Sequence, residues 1–426
     1  MPIKSLNVAV VFGGRSVEHD VSIITGIQAC EALAERHKPM PVYIDRDGNW
    51  FAGDRLRDLK AYKDADFAEL SVSLNLADGV LVPAAPVKQK GRWGRAAKDT
   101  AVPYRPDVVL PATHGTQGED GCLQGLLELA ELPYAGPPHE AAALAMNKVV
   151  TKVLLRAAGV PVLDDLTVRR ESYEADGGAA VAARIAARFG LPVYVKPASL
   201  GSSVGVSRCT SEAEVQEALE LAFELDRMVL AEPAVEGGFE VNCAVLGRPG
   251  VAPRSSVCEQ PVSSDGFLSF EDKYLRGGGG AAAVKGQGLK LPSGKQPEAA
   301  SPAKLASGGL KTGGMSSAQR LIPAPIGDEL TARVKELAEQ TFTVLGCAGV
   351  VRVDMLVDSY GRVFVNEPNT IPGSFAFYLW EPAGIPFADL MDALLDLALQ
   401  EHAERARTTR SFDSNLLAGQ VGGTKT

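Results

Sequence analysis

The chain has 426 residues, 46% of them hydrophobic and 22% charged; a single core rarely grows beyond about 250–300 residues, so we expect two or three domains. A formal net charge of -9 with no long lysine or arginine run argues against a nucleic-acid partner and favours a small substrate. The N-terminal apolar run is too short to span a membrane and no cleavage site follows it, so a cytoplasmic protein without membrane contact is expected.

The first region alternates strand and helix patterns. An apolar run at 7–12 ends in Gly13-Gly14 and precedes a helix whose buried stripe is predicted to contain Ile23, Ile27, Cys30 and Ala34. A second apolar run at 108–110 leads through a loop to a leucine-rich helix at about 123–129. This alternation predicts a parallel sheet with functional groups at the carboxyl ends of its strands.

The middle region carries a glycine- and serine-rich loop between two short strands. A helical stripe of Met146, Val150, Val153 and Ala157 comes first, ends before Gly159, and leaves Lys148 and Lys152 off its buried side. The strand at 192–197 then leads into the loop at 199–207, which predicts a hairpin with a mobile tip. An apolar run at 228–235 closes this region.

The third region begins with an alternating strand at 239–247. Residues 277–314 are rich in glycine and lysine, and we interpret them as a long flexible loop because they lack the apolar surface needed to offset ordering entropy. A helix near Leu330 to Leu337 and a hairpin at 350–369 follow.

The hairpin at 350–369 suggests a cation site. A two-residue period places Arg352 and Asp354 on one face of its first strand. By the same rule one face of its second strand contains Val365, Glu367 and Asn369. A turn centred between residues 359 and 360 pairs Asp354 with Val365 and leaves Glu367 diagonal to it, close enough for two carboxylates to bracket Mg²⁺. A solvated hairpin face explains the pattern at least equally well.

Other candidate groups are ambiguous on the residue pattern alone. The loop at 201–205, with Lys196 before it, can wrap nucleotide phosphates, although such loops usually mark only a turn and no Walker A motif is present. Glu18 at a helix start either caps the helix or holds an amino group. His114, in a loop after a strand, either orients such a carboxylate or is a structural histidine.

Six segments in this order resemble the signatures of the D-alanine–D-alanine ligase family: residues 12–22, 114–129, 143–162, 195–207, 271–274 and 352–373. The resemblance implies an α/β (α+β) chain with an ATP-grasp fold preceded by an N-terminal doubly wound parallel-sheet domain. The implied N-terminal domain, residues 1–140, binds substrate. The implied central ATP-grasp subdomain, residues 141–235, carries a phosphate lid loop. The implied C-terminal catalytic subdomain, residues 236–405, contains a flexible insertion at 277–314 and is followed by a tail at 406–426.

The resemblance also implies site residues and cofactors. The positions similar to ATP contacts are Lys148, Lys196, Ser202, Ser203, Glu232, Val235 and Glu240. Two Mg²⁺ ions, which Mn²⁺ can replace, would be held by Asp354, Glu367 and Asn369. The positions similar to amino-acid contacts are Glu18, His114, Lys273, Tyr378 and Leu379, and those similar to catalytic groups are Glu18, Ser202, Tyr274, Arg352 and Gly373.

The implied reaction joins two D-alanine molecules through an acyl phosphate, for peptidoglycan precursor synthesis, in a homodimer. Three departures concern specificity: Tyr378 stands where the family usually has serine, Pro233 where it commonly has lysine, and the loop after Tyr274 is longer than in the family. A ligase of the same fold that uses another acceptor is therefore the alternative. A regulatory protein without catalysis is disfavoured because the catalytic set is present together, and a dehydrogenase because no G-x-G-x-x-G motif occurs.

Overall fold

The computed structural model describes residues 4–63, 66–84, 101–262 and 320–411, and these contain three β-sheets. Lys273, Tyr274 and the insertion predicted at 277–314 lie outside the described residues, as does most of the predicted tail. In the part of the chain described here, the helices lack the combination of length and apolarity needed to cross a bilayer.

The N-terminal sheet has the strand order β5-β4-β3-β2-β1-β6. Its strands are β1 (Asn7–Gly13), β2 (Lys38–Ile44), β3 (Trp50–Ala52), β4 (Ser71–Asn75), β5 (Val80–Pro83) and β6 (Val108–Pro111). Strands β2, β1 and β6 are parallel, as predicted, but β3, β4 and β5 extend the sheet as an antiparallel meander that the sequence analysis missed.

Helices cover both faces of the N-terminal sheet. They are α1 (His19–Leu33) and α2 (Cys122–Leu129), while three 3₁₀ turns occupy Asp54–Arg57, Leu59–Lys63 and Ala68–Leu70. The next helix along the chain, α3 (His139–Met146), instead places Ala141 and Ala145 in a separate core that it shares with strands further along the chain. One core contains Val8 and Val10 with α1, and another contains Ala9 and Val11 with α2. The predicted stripe of α1 is buried at Ile23, Ile27 and Cys30, whereas Ala34 lies past the helix and is exposed.

The central sheet is antiparallel, with the order β7-β10-β8-β9. Its strands are β7 (Leu166–Arg169), β8 (Val193–Pro197), β9 (Ser207–Cys209) and β10 (Met228–Pro233). The accompanying helices are α5 (Arg170–Asp176), α6 (Gly178–Phe189) and α7 (Glu212–Leu225). Helix α4 (Lys148–Ala157) precedes them in the chain and places Leu155 in a different core. The predicted hairpin is present, since β8 pairs with β9 around the glycine- and serine-rich loop.

The buried side of α4 differs from the prediction. Val153 is 56% exposed, whereas the buried residues of the helix are Lys148, Thr151, Lys152 and Leu155. The prediction was wrong because the hydrophobic pattern assumes that a buried face is apolar, and here two lysines are buried beside carboxylates. The helix thus directs charged groups into the molecule rather than towards solvent.

The C-terminal sheet is also antiparallel, with the order β13-β12-β11-β14-β15. Its strands are β11 (Phe239–Gly247), β12 (Arg254–Pro261), β13 (Arg320–Leu321), β14 (Gly349–Val357) and β15 (Val363–Asn369). Helix α8 (Asp328–Val344) packs its predicted residues Val334 and Leu337 onto one face of this sheet. The opposite face of β14 carries the apolar Val350 at one end and the polar residues Arg352 and Asp354 after it.

The end of the chain returns to the N-terminal region. A 3₁₀ turn at Gly373–Ala376, the single-turn α9 (Phe377–Trp380) and α10 (Phe387–Arg405) follow β15. Trp380, Leu390 and Leu394 share one buried core with Phe12 and Leu33 of the N-terminal region. This shared core brings the carboxyl end of β1 close to the polar face of the C-terminal sheet.

Candidate active site

The hairpin of β14 and β15 carries its polar residues in a register that differs from the prediction. Asp354 pairs directly with Glu367, and Met355 pairs with Val365, because a β-bulge lies between Asp354 and Met355. The extra residue opposite the bulge is Asn366, and it shifts the alternation by one position. Val365 therefore lies in the core, and the prediction that it shares a face with Glu367 was wrong.

The polar face of this hairpin is buried rather than solvated. Arg352 is 5% exposed and Asp354 is 2% exposed, which excludes the solvated-face alternative. The Arg352 guanidinium donates two hydrogen bonds to the Asp354 carboxylate, from Nε at 2.6 Å and from Nη2 at 2.7 Å. The Asn369 amide donates to Asp354 Oδ2 at 3.1 Å.

A lysine from another region approaches the same face. Lys148 Nζ lies 3.0 Å from Glu367 Oε2 and donates to the carbonyl oxygen of Leu200 at 2.6 Å. Helix α4 directs this lysine inward because Asn147 caps it, accepting bonds from the backbone N–H groups of Val149 and Val150. The structure thus joins the predicted metal ligands, a phosphate-binding candidate and the glycine- and serine-rich loop.

Asp354, Glu367 and Asn369 form a donor set of two carboxylates and one amide. Among the described residues no cluster of three His, Cys, Asp or Glu side chains is placed to hold a metal. A hard divalent cation such as Mg²⁺ does not need one, since it commonly takes one or two protein carboxylates and completes its shell with phosphate oxygens and water. The donor set therefore fits Mg²⁺ bound together with a nucleotide.

A cavity of about 520 Å³ lies between the central and C-terminal sheets. Its lining includes Lys196, Glu232 and Val235, three of the predicted nucleotide contacts, together with Leu356 and Asn366. Glu240 is buried on β11 and pairs with Leu356 of the lining. The size and the mixed apolar and charged lining suit a ligand of nucleotide dimensions.

Two lysines meet one carboxylate at the wall of this cavity. Glu232 contacts the ammonium groups of both Lys152 and Lys196, and Lys196 Nζ also lies 3.1 Å from Asn366 Oδ1. Burial opposes the charge of Glu232, but the charges of Lys196 and Lys152 outweigh it and lower the pKa of Glu232. The sequence analysis missed Lys152 and Asn366, because a buried lysine and a bulge leave no periodic signal.

Glu18 lies where the carboxyl end of β1 leads into α1. Gly13 at φ +91° makes this turn possible, because a Cβ there would lie 2.1 Å from the carbonyl oxygen of Ile44. Glu18 occupies the N-cap position of α1 but makes no side-chain capping bond. Its carboxylate instead accepts a hydrogen bond from the hydroxyl of Ser202, in the predicted lid loop.

The carboxylate of Glu18 is closely enclosed. A Cβ added to Gly115 would lie 2.8 Å from Glu18 Oε2, and one added to Gly201 would lie 2.9 Å from it. Among the described residues this oxygen is buried without a hydrogen-bond partner. Burial and the nearby charge of Glu119 raise the pKa of Glu18. Such a carboxylate is suited to a small cationic group.

His114 lies beside this pocket but bonds elsewhere. Its Nε2 is 2.9 Å from Thr25 Oγ1, and its Nδ1 is 3.9 Å from Glu119 Oε1. Burial opposes charge on His114, but the interaction with Glu119 outweighs it and raises the pKa of His114. His114 therefore acts on Glu18 through charge rather than through a hydrogen bond, and Glu119 is a neighbour that the sequence analysis did not single out.

Two of the residues predicted to meet the second substrate, Tyr378 and Leu379, lie in the single-turn helix α9 after β15. Tyr378 donates from its hydroxyl to Glu259 Oε1 at 3.3 Å, while Leu379 is fully buried in the shared core. Gly373 begins a 3₁₀ turn whose following residues Ser374 and Phe375 have left-handed backbone angles. Ser203, also left-handed, follows Ser202 in the lid loop.

Family models and known proteins resemble nearly the whole chain. Residues 7–137 match the model for the D-ala D-ala ligase N-terminus, and residues 154–297 and 309–396 match the model for the D-ala D-ala ligase C-terminus. The D-alanine–D-alanine ligase of Shouchella clausii is 34% identical over 416 residues, covering 96% of this chain and 99% of the relative. D-alanine–D-alanine ligase A of Escherichia coli K12 is 33% identical over 406 residues, covering 94% and 98%.

Solved structures agree with these sequence matches. The D-alanine-D-alanine ligase from Coxiella burnetii has a TM-score of 0.71 at 27% identity and covers 95% of this chain and 97% of its own. The VanG D-Ala:D-Ser ligase from Enterococcus faecalis has a TM-score of 0.69 at 27% identity and covers 93% and 100%. The likeness therefore extends through all three sheets.

Proposed function

The chain belongs to the D-alanine–D-alanine ligase family, and on that premise we propose that it joins two D-alanine molecules with ATP for peptidoglycan precursors. One observation carries the proposal most strongly. The Glu18 carboxylate from the N-terminal region meets Ser202 of the lid loop, beside the buried Arg352–Asp354 pair and the Lys148–Glu367 pair. These are the groups that such a ligation requires.

The first D-alanine binds with its ammonium group at Glu18. Glu18 Oε2 is buried without a hydrogen-bond partner among the described residues, so an ammonium donor satisfies it. Ser202 positions the same carboxylate through its hydrogen bond. In this proposal His114 also acts on Glu18, through its charge. Tyr274 ties a second loop to Glu18, as Ser202 ties the first.

ATP binds in the cavity between the central and C-terminal sheets. Its adenosine lies against Glu232, Val235 and Glu240, and its phosphates face Lys148 and Lys196 together with the Ser202-Ser203 loop. Asp354, Glu367 and Asn369 would hold two Mg²⁺ ions, for which Mn²⁺ can substitute. When bound, the metal supplies positive charge that stabilises the phosphoryl group during transfer.

The chemistry proceeds in two steps. A carboxylate oxygen of the first D-alanine attacks the γ-phosphorus of ATP, giving an acyl phosphate and ADP. The amine of the second D-alanine, after losing a proton, attacks the acyl carbon, and inorganic phosphate leaves as the peptide bond forms. Arg352 and the backbone N–H of Gly373 stabilise the oxyanion of the tetrahedral intermediate. The Ser202–Glu18 contact holds the lid loop over the site and excludes water.

The identity of the second amino acid, the acceptor, is less firmly indicated by the site residues than that of the first. The acceptor carboxylate meets Lys273, Tyr378 and the Leu379 backbone in this proposal. A ligase of the same family with a different acceptor is the second candidate, because Tyr378 replaces the smaller serine that the family usually has. VanG, a D-Ala:D-Ser ligase, shows a similar likeness to this chain.

Replacing Tyr378 with serine is expected to lower the KM for D-alanine as acceptor, or to widen the range of acceptors, without changing the KM for ATP. The phenol fills space and takes its hydroxyl to Glu259, so its removal alters the acceptor pocket. A binding pocket discriminates between substrates that differ by one methylene by about 1–3 kcal/mol. The preference for one acceptor over another can therefore change by about tenfold or more. Steady-state kinetics across several acceptors measures this, and an unchanged preference order would place Tyr378 outside the acceptor pocket.

Binding of the first D-alanine is expected to weaken in mild acid. Burial raises the pKa of Glu18, so its protonated, neutral form persists to a higher pH than in an exposed glutamate. The raised pKa of Glu18 adds to the free energy of unfolding when the pH is below the ordinary pKa of glutamate. This contribution is lost as the pH rises through the raised pKa of Glu18. Substrate binding has the opposite sign, because only ionised Glu18 holds an ammonium group.

The measurement is the KM for the first D-alanine as a function of pH, in wild type and in Glu18→Gln. The wild-type KM should rise as pH falls through the raised pKa, and the variant should have a high KM without that transition. If both proteins keep the same pH profile, Glu18 does not hold the ammonium group.

We also place the reaction in the cytoplasm, where ATP is available, and in a homodimer, which the family resemblance implies. Product analysis tests the function as a whole. The purified chain is incubated with ATP, Mg²⁺ and a mixture of D- and L-amino acids, and dipeptides are identified by mass spectrometry. D-Ala-D-Ala should dominate. A mixed dipeptide would favour the second candidate, and ATP consumption without any dipeptide would contradict both.

A further inference from the structure

Four strands of the C-terminal sheet carry one continuous polar row. The register pairs Glu259 on β12 with Asn242 on β11, Asn242 with Asp354 on β14, and Asp354 with Glu367 on β15. Directly paired residues project to the same face, so these four side chains lie side by side. Glu259 and Asn242 are buried, and the Asn242 amide donates to Glu259 Oε1 at 3.2 Å.

Each carboxylate of the row has its own cation. Lys148 lies beside Glu367, and Arg352 lies beside Asp354. At the other end, Arg320 Nη1 of β13 lies 3.0 Å from Glu259 Oε2, with 10% of the Arg320 side chain exposed. One end of the row thus lies beside Lys148, the proposed phosphate contact. The middle lies beside Arg352, which is proposed to stabilise the oxyanion, and the other end is the Arg320–Glu259 pair.

Tyr378 connects this last pair to the segment that follows the hairpin. The guanidinium carbon of Arg320 lies 4.3 Å from the centre of the Tyr378 ring, and the Tyr378 hydroxyl donates to Glu259. Burial and the Glu259 carboxylate raise the pKa of Tyr378, so the phenol, which is protonated at neutral pH in any case, remains a hydrogen-bond donor to higher pH. The phenol hydroxyl is thereby directed to Glu259, and the guanidinium lies against the ring.

We propose that Arg320 binds the carboxylate of the second amino acid beside Tyr378, with Glu259 as a positioning residue that holds its guanidinium. This inference rests on the proposed function. Phosphate transfer takes place at the Lys148 end, and Arg352 faces the reacting carbonyl, so the acceptor lies on the Arg320 side of Arg352. A guanidinium has five N–H donors in a planar fork, so it binds a carboxylate in two contacts while still contacting Glu259.

The test uses a competition at the acceptor site. D-Alaninamide has an amine but no carboxylate, so it acts as an acceptor and cannot be phosphorylated as the first substrate. Equal concentrations of D-alanine and D-alaninamide are supplied with ATP and Mg²⁺, and the ratio of dipeptide to dipeptide amide is measured by mass spectrometry. That ratio compares the two acceptors within one reaction, so a general loss of activity cancels.

Wild type should favour the dipeptide, and Arg320→Gln should reduce the ratio by about 10- to 100-fold, the usual effect of losing hydrogen bonds to a charged group. Arg254→Gln is the matched control, since Arg254 begins β12, the neighbouring strand that carries Glu259, and contacts the Ala383 carbonyl at the surface, and it should leave the ratio unchanged. A purely structural role for Arg320 would lower both products equally. An unchanged ratio in Arg320→Gln overturns the inference.

A second variant covers the case in which Arg320→Gln does not fold. Arg320→Lys keeps the charge but loses the planar fork, so the ratio should fall by a smaller factor, and an unchanged ratio again overturns the inference. The two proposals fail differently. If wild type makes neither product, the proposed function fails and this inference with it; if wild type makes dipeptide and the Arg320 variants keep its ratio, only this inference fails.

Discussion

Replacing Arg352 with glutamine is expected to lower kcat by about 10²–10³-fold and to destabilise the C-terminal sheet by about 3–5 kcal/mol. The rate falls because the tetrahedral oxyanion loses its charged partner. Stability falls because Asp354 is left buried without the two hydrogen bonds from Arg352, and both side chains are almost completely buried. Mg²⁺ with ATP should restore part of the stability, since a cation beside Asp354 replaces the lost charge.

The rate is measured as dipeptide formation, and the stability as hydrogen-exchange protection of β14 and β15. Arg362→Gln is the matched control on the same hairpin: its guanidinium pairs with Asp358, but its side chain is 68% exposed. That variant should change stability by less than about 1 kcal/mol and leave kcat unaltered. Equal effects of the two substitutions would contradict the role assigned to Arg352.

Replacing Glu367 with glutamine is expected to lower kcat by about a hundredfold or more while the fold stays intact. A neutral amide is a poorer ligand for Mg²⁺, and metal charge contributes several kcal/mol to phosphoryl transfer. Glu367 pairs with Lys148 in the structure, so the substitution also leaves that ammonium group without its carboxylate. The dependence of the rate on Mg²⁺ concentration should shift to higher concentrations.

Glu404→Gln is the control for this experiment, because Glu404 pairs with Arg407 at the surface of α10, away from the hairpin. It should keep wild-type kinetics. Near-normal turnover of Glu367→Gln at saturating Mg²⁺ would refute Glu367 as a metal ligand, whatever the stability of the variant.

Sequence patterns were sufficient to predict the principal elements that carry the site. The strand at 7–12 before Gly13-Gly14, the loop at 199–207 between two strands, and the hairpin at 350–369 all occur as predicted. These elements have strong local signals, namely apolar runs of strand length and glycine at turns. The resemblance to the family added roles that periodicity cannot give.

The details that were missed depend on contacts between distant residues. The bulge at Asn366 moves Val365 into the core and sets Asp354 directly opposite Glu367, and no local pattern marks it. Lys152 is buried because Glu232, 80 residues away, accompanies it. The meander of β3 to β5 is built from strands too short to give a clear alternation.

The most direct test of the account follows a carboxylate oxygen of D-alanine. D-Alanine labelled with ¹⁸O in its carboxylate is incubated with the protein, ATP and Mg²⁺, and both products are analysed by mass spectrometry. An acyl phosphate transfers one labelled oxygen to inorganic phosphate, so the account predicts one ¹⁸O in the released phosphate for each D-Ala-D-Ala formed. Dipeptide formed with unlabelled phosphate would contradict the acyl-phosphate route, and the absence of dipeptide would contradict the ligase function itself.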